Sequence, residues 1–327
     1  MPAPAPSIAA LSRRLNILSS DYEAFLEGRL TRCGLSGGRQ KRLSLHWLRT
    51  KLQRQFLPHY FGEPPAWRVA LRSSFADRTL PDFCVTGPIK AGTSDIATTL
   101  LLHPCVMTPL AKEISFTDFP RLSAYYPTIR EKKAIETKYG TALSPYFMPA
   151  LNLLEFAYKL SNIASQMKIV IVLRNPIWRM YSHWKWELLL TGTHVLKDMT
   201  FMHTFDAYAD KSLALYPHTP MYTACAREGL RTSIYWQAVE VWQSLFGTAN
   251  ILVVESDEYF RNKTAFMYKI QDFVGLPRLS PPSIERRVNE NPLTLCPPSD
   301  ETLERLTHFF RPHNDSLWKA IGTQFAW

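Results

Sequence analysis

Cysteine is scarce in this chain. There are five cysteines in 327 residues, an odd number, and none forms a Cys-x-x-Cys pair. This excludes a disulfide-rich scaffold and favours mostly reduced thiols in a cytosol-like compartment, with a single disulfide as the alternative. No group of His, Cys and carboxylate residues has the spacing of metal ligands, so no bound metal is expected.

Long apolar runs are also missing. No window of about 18 apolar residues occurs, so no membrane-spanning helix is predicted. The N-terminus, MPAPAPSIAALSRR, lacks the basic segment and apolar core of a standard secretory signal. We therefore expect a cytoplasmic location. Arg13 and Arg14, close to Ser and Ala residues, leave a transit peptide as one alternative, and a Golgi-type anchor removed from a trimmed chain is another.

Acidic residues are outnumbered by basic ones. Asp and Glu total 28 against 38 Lys and Arg, which gives a net charge of +10 and a pI near 9.4. This charge suits an anionic ligand: nucleic acid, a membrane surface, or a small molecule that carries phosphate or sulfate. The chain is 46% hydrophobic, enough for a substantial core in one large domain or two. No internal repeat is evident.

Residues 81–101, PDFCVTGPIKAGTSDIATTLL, have the pattern of a strand, a tight turn and a helix. The turn ends in Gly92-Thr93-Ser94, where free N–H groups, hydroxyls and the positive helix end form an anion site. Nucleotide hydrolases carry lysine directly after the second glycine of this loop. Here Thr93 stands at that position, and the only lysine of the turn is Lys90. A plain turn with a solvated lysine is the alternative.

A second motif follows the apolar run KIVIVL at residues 168–173, which is typical of a buried parallel strand. Arg174 lies at the end of this strand, where open α/β sheets bind ligands. Ser182 comes eight residues later, about two turns into the predicted helix. A fixed guanidinium and a hydroxyl can hold one phosphate between them.

Together these stretches resemble a known family. The sequence GPIKAGTS resembles the 5′-phosphosulfate loop of sulfotransferases that use 3′-phosphoadenosine 5′-phosphosulfate (PAPS), and strand-R-N-P-x-x-R-x-Y-S resembles their 3′-phosphate site. The resemblance covers residues 81–327. The sequences KEISF and R-P-x-N are closer to carbohydrate sulfotransferases, including the N-acetylgalactosamine-4-sulfate 6-O type, than to the phenol and steroid enzymes.

The resemblance implies a P-loop-like three-layer α/β/α fold with a central parallel sheet. Residues 1–80 would form an N-terminal helical extension with a disordered start, and residues 81–327 the sulfotransferase domain. PAPS would be the co-substrate, its desulfated form PAP the product, and no metal would be needed. The implied donor-binding residues are Lys90, Ala91, Gly92, Thr93, Ser94, Arg174 and Ser182, with Arg286 or Arg287 over the 3′-phosphate.

The resemblance also implies two catalytic residues. Glu113, in the sequence Lys-Glu-x-x-Phe, would be the general base for an acceptor hydroxyl. Lys90 would neutralise charge on the departing phosphate oxygen. The family usually has an aromatic residue where Thr117 stands, which affects the expected shape of the acceptor pocket. Some cytosolic relatives use a histidine base, but His183 directly follows Ser182 and should point elsewhere.

The expected acceptor is a hydroxyl or amine of a carbohydrate or small molecule; nucleic acid is not expected, and the oligomeric state is not predicted. Two other functions are alternatives: a metal-dependent phosphoryl transferase or kinase, and a non-catalytic basic module for phosphate or polyanions. The sequence also predicts the other elements of the fold. They are strands at 105–109 and 250–255, helical structure over 124–165, a cleft or packed loop at 139–149, a loop-rich acceptor segment at 187–227, and helices at 229–246, 259–275 and after Ser299.

Overall fold

The computed structural model describes residues 64, 66–114, 116–190, 200–217, 229–281 and 295–327, with the backbone alone at 116–118 and 189–190. The predicted N-terminal helices and the Arg286–Arg287 pair lie outside these ranges. The strands are β1 (Phe83–Thr86), β2 (Pro145–Met148), β3 (Lys168–Leu173) and β4 (Ile251–Glu255). The α-helices are α1 (Ala66–Ser74), α2 (Thr93–Leu100), α3 (Ile129–Tyr139), α4 (Leu154–Ile163), α5 (Pro176–Leu190), α6 (Phe205–Leu215), α7 (Trp236–Phe246), α8 (Ser256–Arg261), α9 (Lys263–Val274) and α10 (Asp300–Ile321).

The four strands form one parallel sheet in the order β2-β1-β3-β4. Phe83 is paired with both Pro145 and Lys168, and Ile169 with Ile251, so neighbouring strands run nearly in step. All four carboxyl ends therefore meet at one edge of the sheet. The predicted strands in β1, β3 and β4 are confirmed, and so is the parallel arrangement.

Strand β3 is buried on both faces. Ile169, Ile171 and Leu173 belong to one apolar cluster, and the alternate residues Val170 and Val172 belong to another. Because successive side chains of a strand point to opposite faces, this alternation places a core on each side of the sheet. Each fully buried branched side chain contributes about 1.5–3 kcal/mol, which explains the continuous apolar run in the sequence.

Helices cover both faces and complete three layers. Helices α4 and α7 supply the first cluster, with Phe156 and Trp242 as its large members. Helices α2 and α9 supply the second, through residues such as Ile96 and Ile270. A third cluster joins α5, α6 and α10 around Trp184. The predicted three-layer α/β/α fold is confirmed.

Helix α1 precedes β1 and packs against the first cluster. Val69 is buried there, and Arg72 donates hydrogen bonds to the carbonyls of Ala124 and Tyr126 at 2.6 and 2.7 Å. These contacts attach residues N-terminal to position 81 to the body of the fold.

Of the cysteines in the described ranges, Cys84, Cys105 and Cys296 are free thiols. None of the helices within those ranges combines the length and apolar character that a membrane crossing needs.

Two short segments differ from the sequence-based expectation. The segment predicted as a cleft or packed loop contains β2, which starts at Pro145. A proline in the sequence argues against a strand, but proline is tolerated at the first position of an edge strand such as β2. The strand predicted at 105–109 is reduced to one parallel bridge between Val106 and Leu143. The predicted helical region 124–165 holds α3 and α4, but β2 separates them.

Two helix predictions and one loop prediction were also partly wrong. The helix expected at 229–246 is interrupted: residues 229–231 are helical, residues 232–235 are not, and α7 begins at Trp236. The Gly229 carbonyl accepts from the side chains of Arg179 and Ser233. The helix expected at 259–275 is divided at Asn262, whose side chain accepts from the N–H of Ala265 and starts α9. The segment expected to be loop-rich contains α6, in which Phe205 and every third or fourth residue after it are buried. The helix capped by Ser299 is confirmed as α10.

Gly87 fixes how closely the turn after β1 approaches β3. A Cβ atom added to Gly87 would lie 2.3 Å from the carbonyl oxygen of Val172, a backbone atom that cannot move without breaking the sheet. Only glycine is therefore compatible with this position.

We predict that Gly87→Ala destabilises the protein by at least the upper end of the roughly 1–3 kcal/mol that overpacking costs. Gly140→Ala is the control: Gly140 has φ +82° but open space around it, so the loss should be only about 1–2 kcal/mol. Urea unfolding of both variants provides the measurement. Equal losses in the two variants would contradict the steric explanation.

Candidate active site

The turn between β1 and α2 places backbone N–H groups at the carboxyl edge of the sheet. Lys90 has φ +73° and Gly92 has φ +91°, two left-handed residues that reverse the chain so that α2 begins at Thr93. The N–H of Ala91 bonds to the carbonyl of Pro88 at 3.2 Å and closes the turn. The first N–H groups of a helix have no acceptor within it, so this end of α2 suits an anion.

Lys90 carries the positive charge of this turn. Burial lowers the pKa of Lys90 below its ordinary value, the nearby Arg174 guanidinium lowers it further, and Asp95 acts in the opposite direction. Its ammonium lies 6.0 Å from the centre of the Trp186 ring on α5. Lys90 and Arg174 therefore share one electrostatic environment, although 84 residues separate them in the chain.

The motif Arg-Asn-Pro owes its position to helix capping. The Asn175 side chain accepts from the N–H groups of Ile177 and Trp178 at 3.0 and 3.4 Å, and Pro176 is the first helical residue of α5. Arg174 thus lies between the end of β3 and this cap, and its carbonyl accepts from the Tyr235 hydroxyl at 2.9 Å. Ser182 lies two turns along α5, partly exposed.

Glu113 lies in the segment that follows α2. Its side chain is 39% exposed, and its Oε1 is 2.5 Å from the ammonium of the buried Lys112. The next residue is anchored to the sheet, because Tyr146 on β2 donates to the Ile114 carbonyl. Among the described residues, Glu113 is joined to Lys112 and not to Lys90 or Arg174.

Three residues near this edge were given no role of their own in the sequence analysis, although Arg179 is the second arginine of the R-N-P-x-x-R-x-Y-S motif. Asp95 faces Lys90 from the first turn of α2. Arg179 donates to the carbonyl of Ile89 in the turn. Ser256 directly follows β4, and a Cβ at Gly92 would lie 3.4 Å from the Ser256 Cβ. The Ser256 hydroxyl is buried without a hydrogen-bond partner in the described part of the chain. The sequence feature that could have identified Ser256 is its position directly after the buried strand β4.

The remaining candidates fall outside this edge. His183 is 1% exposed and lies between Arg179 and Glu187, so it points into the interior as expected from its place beside Ser182. Trp184 is a core residue, whereas Trp186 is the partly exposed ring beside Lys90. Arg286 and Arg287 are not among the described residues.

Known proteins that are similar to this chain are sulfotransferases. The sulfotransferase domain matches residues 80–291. The chain is 23% identical over 291 residues to human heparan sulfate glucosamine 3-O-sulfotransferase 6, covering 81% of this chain and 78% of that protein. It is 25% identical over 277 residues to human bifunctional heparan sulfate N-deacetylase/N-sulfotransferase 2, covering 74% of this chain but only 30% of that protein.

A solved structure supports the fold. A sulfotransferase from Alicyclobacillus acidocaldarius superposes with a TM-score of 0.52 at 20% identity, over 76% of this chain and 98% of the other. The domain match spans well over half of the chain and includes the β1 turn, β3 and the start of α5. The chain therefore belongs to the sulfotransferase family and is a PAPS-dependent sulfotransferase.

Proposed function

We propose that this enzyme transfers a sulfuryl group from PAPS to a hydroxyl or amine of a saccharide, and that the donor lies across the ends of β1 and β3. The observation that carries the proposal is the shared environment of Lys90 and Arg174. Two cations held close together, one of them largely desolvated, lower the free energy of binding for a ligand with several negative charges. PAPS carries such charges at both ends of one nucleoside.

The residues of the site fit the two ends of this donor. Lys90, Ala91, Gly92, Thr93 and Ser94 supply a cation, backbone N–H groups and hydroxyls for the 5′-phosphosulfate. Arg174 and Ser182 supply a planar donor fork and a hydroxyl for the 3′-phosphate. Arg286 and Arg287 stay candidates for the same phosphate on the resemblance alone.

The reaction requires little covalent chemistry from the protein. The acceptor oxygen or nitrogen attacks sulfur, the bond from sulfur to the bridging phosphate oxygen breaks, and PAP departs. Glu113 takes the acceptor proton, and Lys90 stabilises the negative charge that develops on the bridging oxygen. As in phosphoryl transfer, catalysis depends mainly on positioning and on fixed charges.

The acceptor class is proposed from the relatives. The names of the two human relatives specify heparan sulfate, with transfer to a glucosamine 3-O position in one and N-sulfation in the other. We propose a glycosaminoglycan-like saccharide for this chain. The N-acetylgalactosamine-4-sulfate 6-O type indicated by the KEISF sequence falls within that class.

The function is tested by incubating the enzyme with PAPS and a panel of heparan- and chondroitin-type oligosaccharides, phenols and simple amines. We expect a mass increase of one sulfuryl group on a saccharide, with Lys90→Ala as the inactive control. Parallel reactions with EDTA, and with magnesium and ATP, address the kinase alternative. Phosphate transfer that depends on magnesium, without sulfate transfer, would overturn the proposal.

We predict a pH dependence that reports on Lys90. Because burial and Arg174 lower the pKa of Lys90, kcat/KM for PAPS should fall on the alkaline side below the ordinary lysine pKa of about 10.4. Lys90→Ala should lose roughly 10²–10³-fold in kcat, as lost electrostatic stabilisation does. Lys90→Arg stays charged, so its alkaline limb should disappear from the accessible range.

Arg174→Met extends this test. Removing the neighbouring cation should move the alkaline limb to higher pH and weaken PAP binding measured by calorimetry. If Lys90→Arg keeps the wild-type alkaline limb and Arg174→Met leaves the limb in place, Lys90 is not the titrating group.

We predict that Glu113→Gln abolishes transfer but leaves PAP affinity within about threefold of wild type, because the amide cannot accept a proton and Glu113 has no described contact with the cations of the donor site. Single-turnover kinetics and calorimetry with PAP separate the two effects. Glu136→Gln, at a partly exposed position of α3, is the matched control. Near-full activity of Glu113→Gln would assign the base role to another residue.

A further inference from the structure

Helix α5 carries three ionisable residues in the interior of the protein. Arg179, His183 and Glu187 follow one another at four-residue intervals, so they lie along one face of the helix. Their exposed fractions are 0%, 1% and 2%. Burying two opposite charges on one helix requires compensating polar contacts, and replacing such groups with apolar residues is often neutral or favourable for stability. A contribution to stability therefore does not by itself explain why ionisable residues occupy these three buried positions.

The three side chains of this row contact one another in sequence. Nη1 of Arg179 lies 3.3 Å from Nδ1 of His183, and arginine is only a donor, so Nδ1 accepts and the ring proton is on Nε2. Nε2 lies 3.2 Å from Oε1 of Glu187. His183 therefore lies between the guanidinium of Arg179 and the carboxyl group of Glu187.

The guanidinium of Arg179 joins α5 to two other segments, the turn at Ile89 and residues 229–233. Its Nη1 also donates to the carbonyl of Ile89 at 3.0 Å, its Nε donates to Ser233 Oγ at 2.7 Å, and its Nη2 donates to the Gly229 carbonyl. The Ile89 carbonyl belongs to the peptide unit that directly precedes Lys90.

This peptide unit needs external support. Lys90 has φ +73°, a left-handed conformation that costs a residue with a side chain about 1–2 kcal/mol. The conformation decides whether the Lys90 ammonium points toward Arg174. Helix α5 contacts Lys90 twice: through Arg179 at the preceding carbonyl, and through the Trp186 ring 6.0 Å from the ammonium.

We propose that Arg179 is a positioning residue, which holds the Ile89–Lys90 peptide so that the Lys90 ammonium faces the donor phosphate, while His183 and Glu187 keep its charge compensated inside the protein. The proposal rests on the proposed function of Lys90. It also links the two donor pockets, because the helix that carries Ser182 fixes the turn that carries Lys90.

The decisive experiment separates folding from positioning. Arg179→Met leaves Glu187 buried without its compensating charge and should be strongly destabilised. The double variant Arg179→Met/Glu187→Gln has no buried charge in the row and should regain most of the Tm, but the Ile89 carbonyl stays without its donor. We expect kcat with PAPS to remain lower by roughly 10²-fold, the loss typical of a misplaced catalytic group, with the acceptor KM little changed.

The pH profile gives a second readout that a purely structural role would not change. If the turn relaxes in the double variant, Lys90 moves away from Arg174 and the alkaline limb of kcat/KM shifts to higher pH. Arg179→Lys keeps the charge but not the planar fork, and should show an intermediate loss of kcat and a smaller shift. It is the fallback if the double variant does not fold.

Arg72→Met is the matched control. Arg72 also donates to two backbone carbonyls, but those lie beside α1 and not in the turn. It should lower the Tm without changing kcat or the alkaline limb. Wild-type kcat and an unshifted limb in the double variant, or in Arg179→Lys, would overturn the proposal. A different result, full activity of Lys90→Ala, would contradict the proposed function.

Discussion

The structure depends on holding two positive side chains close together at the carboxyl edge of a parallel sheet. Lys90 and Arg174 come from the ends of adjacent strands, and the Arg174 guanidinium adds to burial in lowering the pKa of Lys90. Like charges in a partly desolvated site raise the free energy of the empty protein, and an anion that binds between them removes that cost. In the proposed function, PAPS is this anion.

Backbone geometry enforces the arrangement. Gly87 lets the turn after β1 approach the Val172 carbonyl, Lys90 and Gly92 adopt left-handed conformations, and the Asn175 cap sets the start of α5. The apolar alternation of β3 fixes the sheet on which these turns depend. The chemistry therefore rests on a rigid edge, which positioning catalysis requires.

The sequence predicted the parts of the fold that have a strong period or a strong cap. β1, β3, β4 and α10 carry continuous apolar runs or a Ser299 cap, and their existence was predictable. β2 was missed because it begins with Pro145, and a proline argues against a strand unless the strand lies at the edge of a sheet, as β2 does. The start of α7 was misplaced because residues 232–235 interrupt the helical structure that the sequence pattern favours over 229–246. The Gly229 carbonyl accepts from Ser233 nearby and from Arg179 fifty residues away, and the contact with Arg179 leaves no local pattern.

For the site, as for the fold, local features were predictable from the sequence and long-range contacts were not. The motifs located Lys90, Arg174 and Ser182 by strand ends and turns, which are local features. Arg179 and Ser256 approach the turn from chain segments about 90 and 160 residues away, and such long-range proximity leaves no local pattern. Arg179 is the second arginine of the R-N-P-x-x-R-x-Y-S motif, but its contact with the turn was not predicted, because a buried arginine is unusual and its burial cannot be read from the sequence.

The central claim is that one donor joins the two cationic turns. The most direct measurement is a crystal structure of the protein with PAP. The account predicts the 5′-phosphate against the N–H groups of residues 92–94, with Lys90 in contact, and the 3′-phosphate against Arg174 and Ser182. PAP bound elsewhere, or bound through only one of these turns, would contradict it.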